Sequence, residues 1–188
     1  MGHIEYVFAH RHSQPYPQEQ FKVYGPLIKL PRVCEHKKIK YFYKFRTMHP
    51  YAEYIQQYVF DARGGMDIAN KSNDDWRITT WGRFMRKYWL DELPMLINWI
   101  KRDMKLVGVR PISKTMFDTY PEWLQEKRTL CKPGLIPPFY IDHPKTFDEL
   151  FASEDKYLTE YLAHPFRTDV KYFFLTMWSI LTRKTHSA

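Results

Sequence analysis

Cysteine is scarce: Cys34 and Cys131 stand far apart, and neither has a second cysteine or a cluster of histidines beside it. That spacing suggests neither a zinc site nor a disulfide framework, and it fits a reducing cytosolic setting. Long apolar runs are missing as well. No stretch approaches the roughly 18 apolar residues of a transmembrane helix, and the opening Met1-Gly2-His3-Ile4-Glu5 lacks the charged-then-apolar order of a signal peptide, so the chain as given is not expected to span a bilayer. The eight histidines are scattered without the spacing of a helical metal pair, no glycine-rich phosphate loop occurs, and no internal repeat is found.

What the sequence does have is basic charge and aromatic rings. Twenty-nine Lys and Arg against 21 Asp and Glu leave a formal charge of +8, which favours partners carrying phosphate: nucleotides, nucleic acid or anionic lipid. Six Trp, 14 Tyr and 13 Phe suit either a large aromatic core or a membrane interface, where an apolar ring with a polar edge is at home. At 188 residues the chain is long enough for one full core, and we read one domain, 25–188, behind an irregular segment 1–24.

Up to about Glu35 the mixture of Pro, His, Gln and aromatics shows no period and reads as irregular chain. Lys40 to Arg46 alternates basic and aromatic residues in part, predicting a short strand with one basic face that ends at Thr47. Pro50 opens a helical pattern through Tyr51, Tyr54, Ile55, Tyr58 and Val59, which Gly64-Gly65 stops; a loop follows to Asp75. Thr79 or Thr80 can cap a helix with Trp81, Phe84, Met85, Tyr88 and Trp89 on one stripe. A further helix from Pro94 to about Lys101 is expected to bury Leu93, Leu96, Ile97 and Ile100. Leu106-Val107 reads as a strand end, Glu122 to Leu130 as a helix, Lys132-Pro133-Gly134 as a turn, and 147–163 and 168–182 as helices separated by Pro165. In the last of these, Val170, Phe173, Phe174, Met177 and Leu181 form one stripe with Trp178 beside it. The expected fold class is therefore α+β and helix-dominated, with a small β-sheet or hairpin around 41–46 and 106–107 packed by amphipathic helices that partly face a membrane.

Asp91 and Glu92 are adjacent carboxylates at a helix start, with Arg83, Arg86 and Lys87 upstream and Lys101, Arg102 and Arg110 downstream. A helix N-terminus favours an ionised carboxylate and binds phosphate. Two readings stand at this point: a catalytic pair, or an N-cap at Asp91 with a first-turn acid at Glu92. Arg86 and Arg110 can each grip a phosphate through two donors, and Gly108 permits a close backbone approach.

In order along the chain, these pieces resemble the bacterial sugar transferases, also called monotopic phosphoglycosyl transferases. The resemblance rests on Gly25-Pro26, Lys44-Phe45-Arg46-Thr47-Met48 with Ala52 and Glu53, Arg77-Ile78-Thr79, Gly82-Arg83-Phe84 and Arg86. It continues with Leu90-Asp91-Glu92-Leu93-Pro94, Leu96 and Asn98, then Asp103-Met104, Leu106-Val107-Gly108, Arg110-Pro111 and Lys132-Pro133-Gly134, and closes on Tyr161, Pro165, Asp169 and Thr176, so it covers roughly 25–182.

The resemblance implies that Asp91 attacks the phosphate joined to the sugar of a UDP-sugar, that UMP leaves, and that polyprenyl (undecaprenyl) phosphate takes the phosphosugar, priming polysaccharide or glycan synthesis. It implies that Glu92 holds Mg2+, that Arg86 and Arg110 hold phosphate oxygens, and that Lys44 or Arg46 lies at the same pocket. It also implies work at the cytoplasmic face of the bacterial inner membrane, in contact with lipid, with no nucleic acid as partner.

Three departures from the family pattern stand out. No hydrophobic segment precedes Gly25, so either the anchor was trimmed away or a partner supplies it. Arg102 and Val109 replace the usual glycine and proline, and the residues after Gly134 lack the Thr-Gly, Gln-Val and Gly-Arg pairs. Two rivals remain: a membrane-associated scaffold of the same family with weak catalysis, and a nucleic-acid-binding module stacking bases on Tyr and Phe.

Overall fold

The structure, a computed structural model, describes residues 25–53, 55 and 75–183. The segment expected to be irregular up to residue 24 and most of the pattern after Pro50 lie outside these residues; Pro50–Glu53 forms a short 3-10 turn.

Strands β1 (Leu27–Val33) and β2 (Ile39–Phe45) form an antiparallel hairpin pairing Leu27 with Phe45 and Val33 with Ile39. This corrects the expectation of irregular chain up to Glu35. Ile28, Leu30 and Arg32 alternate inward against Lys44, Phe42 and Lys40, while Pro31, which has no N–H to donate, is tolerated because its nitrogen faces the open edge of a two-stranded ribbon. The basic face of β2 thus points inward, around the fully buried Phe42.

Helix α1 (Thr80–Lys87) is capped by Thr79, whose hydroxyl accepts from the Gly82 amide at 2.9 Å. The Thr79 amide also donates to the Thr47 carbonyl at 3.0 Å, so the start of the helix is tied to the chain just past β2. Gly82 makes that contact possible, because a Cβ there would stand 2.0 Å from the Thr47 oxygen. Through this glycine α1 docks, leaving Trp81 77% exposed with Phe84 and Tyr88 also outward.

Helix α2 (Met95–Ile100) overturns the burial expected for it. Leu93, Leu96, Ile97 and Ile100 are all exposed, Ile100 at 74%, and the helix buries Met95 and Asn98 instead. The period alone marks one apolar face and does not say whether protein or another apolar medium covers it.

Strand β3 (Lys105–Val107) pairs in parallel with β4 (Gly134–Ile136). The small sheet or hairpin expected around 41–46 and 106–107 is a hairpin, β1–β2, with β3–β4 as a separate parallel pair, and Gly134 opens a strand. Gly108 and Gly134 cross so closely that a Cβ on Gly134 would lie 2.1 Å from the Gly108 nitrogen, which explains glycine at both positions.

Helices α3 (Lys114–Asp118), α4 (Glu122–Arg128), α5 (Phe139–Asp142), α6 (Phe147–Ala163) and α7 (Pro165–Arg183) complete the chain. Pro165 opens α7 rather than preceding it, as fits a ring with no N–H to leave unpaired. The main core joins Val107, Val109, Tyr120, Leu124, Leu150, Tyr157, Leu158 and Tyr172. Helix α7 turns its small and polar stripe inward, burying Thr168, Tyr172, Thr176 and Ser179, while Phe174, Trp178 and Leu181 of its apolar face point out. Among the described residues no helix is long and apolar enough to cross a membrane.

Candidate active site

Trp89, two residues past α1, lies in the left-handed region (φ 55°, ψ 16°), and the chain swings from there into the 3-10 turn Leu90–Glu92 that carries both carboxylates. For a bulky aromatic residue this backbone is an outlier that its surroundings must hold in place. The turn places Asp91 and Glu92 against β2 on one side and the chain after β3 on the other.

Glu92 Oε1 accepts from Lys44 Nζ at 2.6 Å and from Arg110 Nη2 at 2.9 Å. Asp91 is buried; its Oδ2 lies 3.9 Å from Lys44 Nζ, and its Oδ1 has no hydrogen-bond partner among the described residues. The capping reading of Asp91 fails on this observation, since its turn has no side-chain cap and a cap would accept from a backbone amide. Arg86 reaches the same cluster with its Nε donating to Thr47 Oγ1 at 2.9 Å. Arg46 Nε donates to the Gly25 carbonyl at 2.9 Å, at the open end of the hairpin.

Burial pushes the Asp91 carboxyl above its ordinary range, opposed chiefly by Lys44 and reinforced by Glu92. Burial likewise pulls the Lys44 ammonium down, with Glu92 opposing, and pulls the Arg86 guanidinium down, with Asp91 opposing. Lys44, Arg86 and Arg110 thus surround two carboxylates and leave a cationic surplus, which suits an anion.

Residues without an assigned role in the sequence hold this cluster. Asn98, fully buried, accepts from the Tyr43 amide at 3.0 Å and donates to the Tyr41 carbonyl at 2.8 Å, locking β2 onto α2. Arg128 donates from Nη2 to the Arg110 carbonyl at 2.7 Å, while its Nη1 pairs with Glu154. The available signals were a lone amide in the apolar run of α2 and a glutamate on the stripe of Leu150 and Leu158 in α6.

No group of three or more His, Cys, Asp or Glu suited to a metal occurs among the described residues. Mg2+ needs less: one or two carboxylates, with substrate phosphates and water completing its shell. The Asp91-Glu92 pair, with a buried Asp91 Oδ1 that lacks a donor, fits that requirement.

Residues 20–183 match the family model described as bacterial sugar transferase. The chain is 34% identical over 161 residues to a galactosyl transferase of Streptococcus agalactiae, an alignment covering 84% of this chain and 35% of that protein. It is 38% identical over 108 residues to an undecaprenyl-phosphate galactose phosphotransferase of Salmonella typhimurium, covering 55% of this chain and 22% of that one. A UDP-glucose:undecaprenyl-phosphate glucose-1-phosphate transferase of Caulobacter vibrioides is 36% identical over 94 residues, 49% of this chain and 31% of its own. The chain thus spans about a third or less of the length of these relatives.

Proposed function

This chain belongs to the bacterial sugar transferase family, and from that premise we propose that it moves a sugar 1-phosphate from a UDP-sugar to undecaprenyl phosphate, an opening step of polysaccharide synthesis. The observation that carries the reading is the buried Asp91, one oxygen unpartnered, set among Lys44, Arg86 and Arg110.

In the proposed reaction an Asp91 carboxylate oxygen bonds to the phosphorus that bears the sugar, and the bond from that phosphorus to the UMP oxygen breaks. UMP leaves with the electron pair. An oxygen of undecaprenyl phosphate then bonds to the same phosphorus, and Asp91 is returned as a carboxylate. Arg86 and Arg110 hold the charge spread over the phosphoryl oxygens, and Lys44 favours the ionised form of Asp91 against the burial that raises its pKa. Mg2+, bound through Glu92, would neutralise diphosphate charge.

The exposed apolar faces of α1, α2 and α7 support a seat in the cytoplasmic face of the inner membrane, where the lipid acceptor lies. A nucleic-acid module is disfavoured, because the inward lysines of β2 are paired with carboxylates, Lys40 with Asp103 at 2.8 Å and Lys44 with Glu92. The test supplies a panel of UDP-sugars with undecaprenyl phosphate, Mg2+ and detergent. UMP release is expected with at least one sugar, and without acceptor the peptide holding Asp91 should gain one phosphosugar. Absence of both would leave the scaffold reading.

A further inference from the structure

Tyr140, in α5, is 6% exposed, and its hydroxyl accepts the indole N–H of Trp89 at 3.0 Å. The two rings meet edge to face, with centroids 6.0 Å apart and planes at 80°. Trp89 is the left-handed residue that leads into the carboxylate turn, two positions before Asp91, so its contact with Tyr140 sets Tyr140 beside that turn. Its own backbone is fixed: the Tyr140 carbonyl accepts from Ser179 Oγ of α7 at 2.8 Å.

A phenol can accept and donate at once. This one accepts from Trp89, while among the described residues its own proton has no acceptor. The proton is retained, since burial raises the hydroxyl's pKa, and the charges that act on it are those of Arg110, Glu92 and Asp91. A buried donor without an acceptor, beside an arginine and the carboxylate pair, is complementary to an anionic oxygen.

We infer that Tyr140 is a further binding residue of this site, donating its phenolic proton to a phosphate oxygen of the nucleoside diphosphate while its oxygen braces Trp89. This rests on the transferase reading for the ligand's class.

The test measures UDP binding with Mg2+ by calorimetry on the full chain in detergent micelles, counted per folded molecule from the stoichiometry, with melting temperatures alongside. Trp89→Phe removes the brace and keeps the phenol; Tyr140→Phe removes the brace and the donor but keeps the ring. The Tyr140 variant should bind UDP about tenfold more weakly, as for a lost hydrogen bond to a charged group, and the Trp89 variant should stay within about threefold of the unmodified chain. Both should melt alike, and the double variant should match Tyr140→Phe alone. Equal losses in the two single variants would reduce Tyr140 to a brace, and unchanged binding in Tyr140→Phe would remove it from the site; either result overturns the inference and leaves the transferase reading intact. An unmodified chain that neither binds UDP nor releases UMP would overturn both.

Discussion

Arg128 donates to the backbone carbonyl of Arg110 at 2.7 Å, so a guanidinium buried under α4 sets where the Arg110 side chain starts on its way to Glu92. Its charge is matched by Glu154 of α6, and its plane lies over the Tyr120 ring, 4.7 Å from the centroid. Removing one partner of such a pair strands a buried charge, whereas replacing both with apolar residues can be nearly neutral. Glu154→Gln should therefore cost roughly 3–5 kcal/mol in denaturant unfolding. Arg128→Met combined with Glu154→Leu should recover most of that stability and still release UMP more slowly, because the Arg110 carbonyl has lost its donor.

Asp91→Asn separates charge from shape. Burial raises the Asp91 pKa in the folded state, so the folded chain holds this proton more tightly than the unfolded one. Its contribution to stability is full below the ordinary carboxylate pKa and is lost as pH rises through the raised folded value. The Asn variant escapes that loss. It should melt higher than the unmodified chain near neutrality, the gain should shrink on acidification, and UMP release should vanish; an equal or lower melting temperature near neutrality would contradict the burial argument.

For the unmodified chain the same shift sets the acid limb of activity. In the proposed reaction the attacking form is the carboxylate, so UMP release should fall on acidification with a midpoint above the ordinary carboxylate range. A midpoint within that range would show that substrate binding, not Asp91, governs the limb.

Glu92→Gln keeps the side chain's length but withdraws the charge facing Lys44 and Arg110. UMP release should drop at least tenfold and need more Mg2+ to reach half its maximum, as an amide is a poorer ligand for a hard cation. An unchanged Mg2+ titration would mean that Glu92 serves only to order the two cations.

Gly82→Ala would push a methyl group into the Thr47 carbonyl. Since backbone rather than a flexible side-chain end is in the way, α1 must shift, at a cost of roughly 1–3 kcal/mol. Arg86 would lose Thr47 Oγ1 as that happens, and thermal melts with activity on one sample should show both losses.

The carboxylate pair could be read from the sequence because its neighbours recur in a recognisable order, and α6 and α7 because long apolar periods are punctuated by Thr146 and Pro165. The orientation of α2 could not. Leu96, Ile97 and Ile100 repeat as a core-facing stripe would, and only the packing of Met95 and Asn98 shows which side is inside. Strand β1 was hidden by Pro31 and by the charged residues interleaved with its apolar ones. Arg128 follows Glu126 and Lys127 and resembles a solvated run, since a buried ion pair differs from a surface one only by what tertiary structure places over it.

Asn98 ties β2, which carries Lys44, to the helix that follows the carboxylate turn, and its consequence is for motion. To swing β2 away from the carboxylate turn, the chain would have to break both backbone bonds of a side chain that water does not reach, which costs far more than turning a lysine about its own bonds. If the proposed function holds, a phosphate is expected to enter between Lys44 and Glu92 by rotation of side chains against a stationary backbone, like a hand uncurling its fingers with the wrist held still.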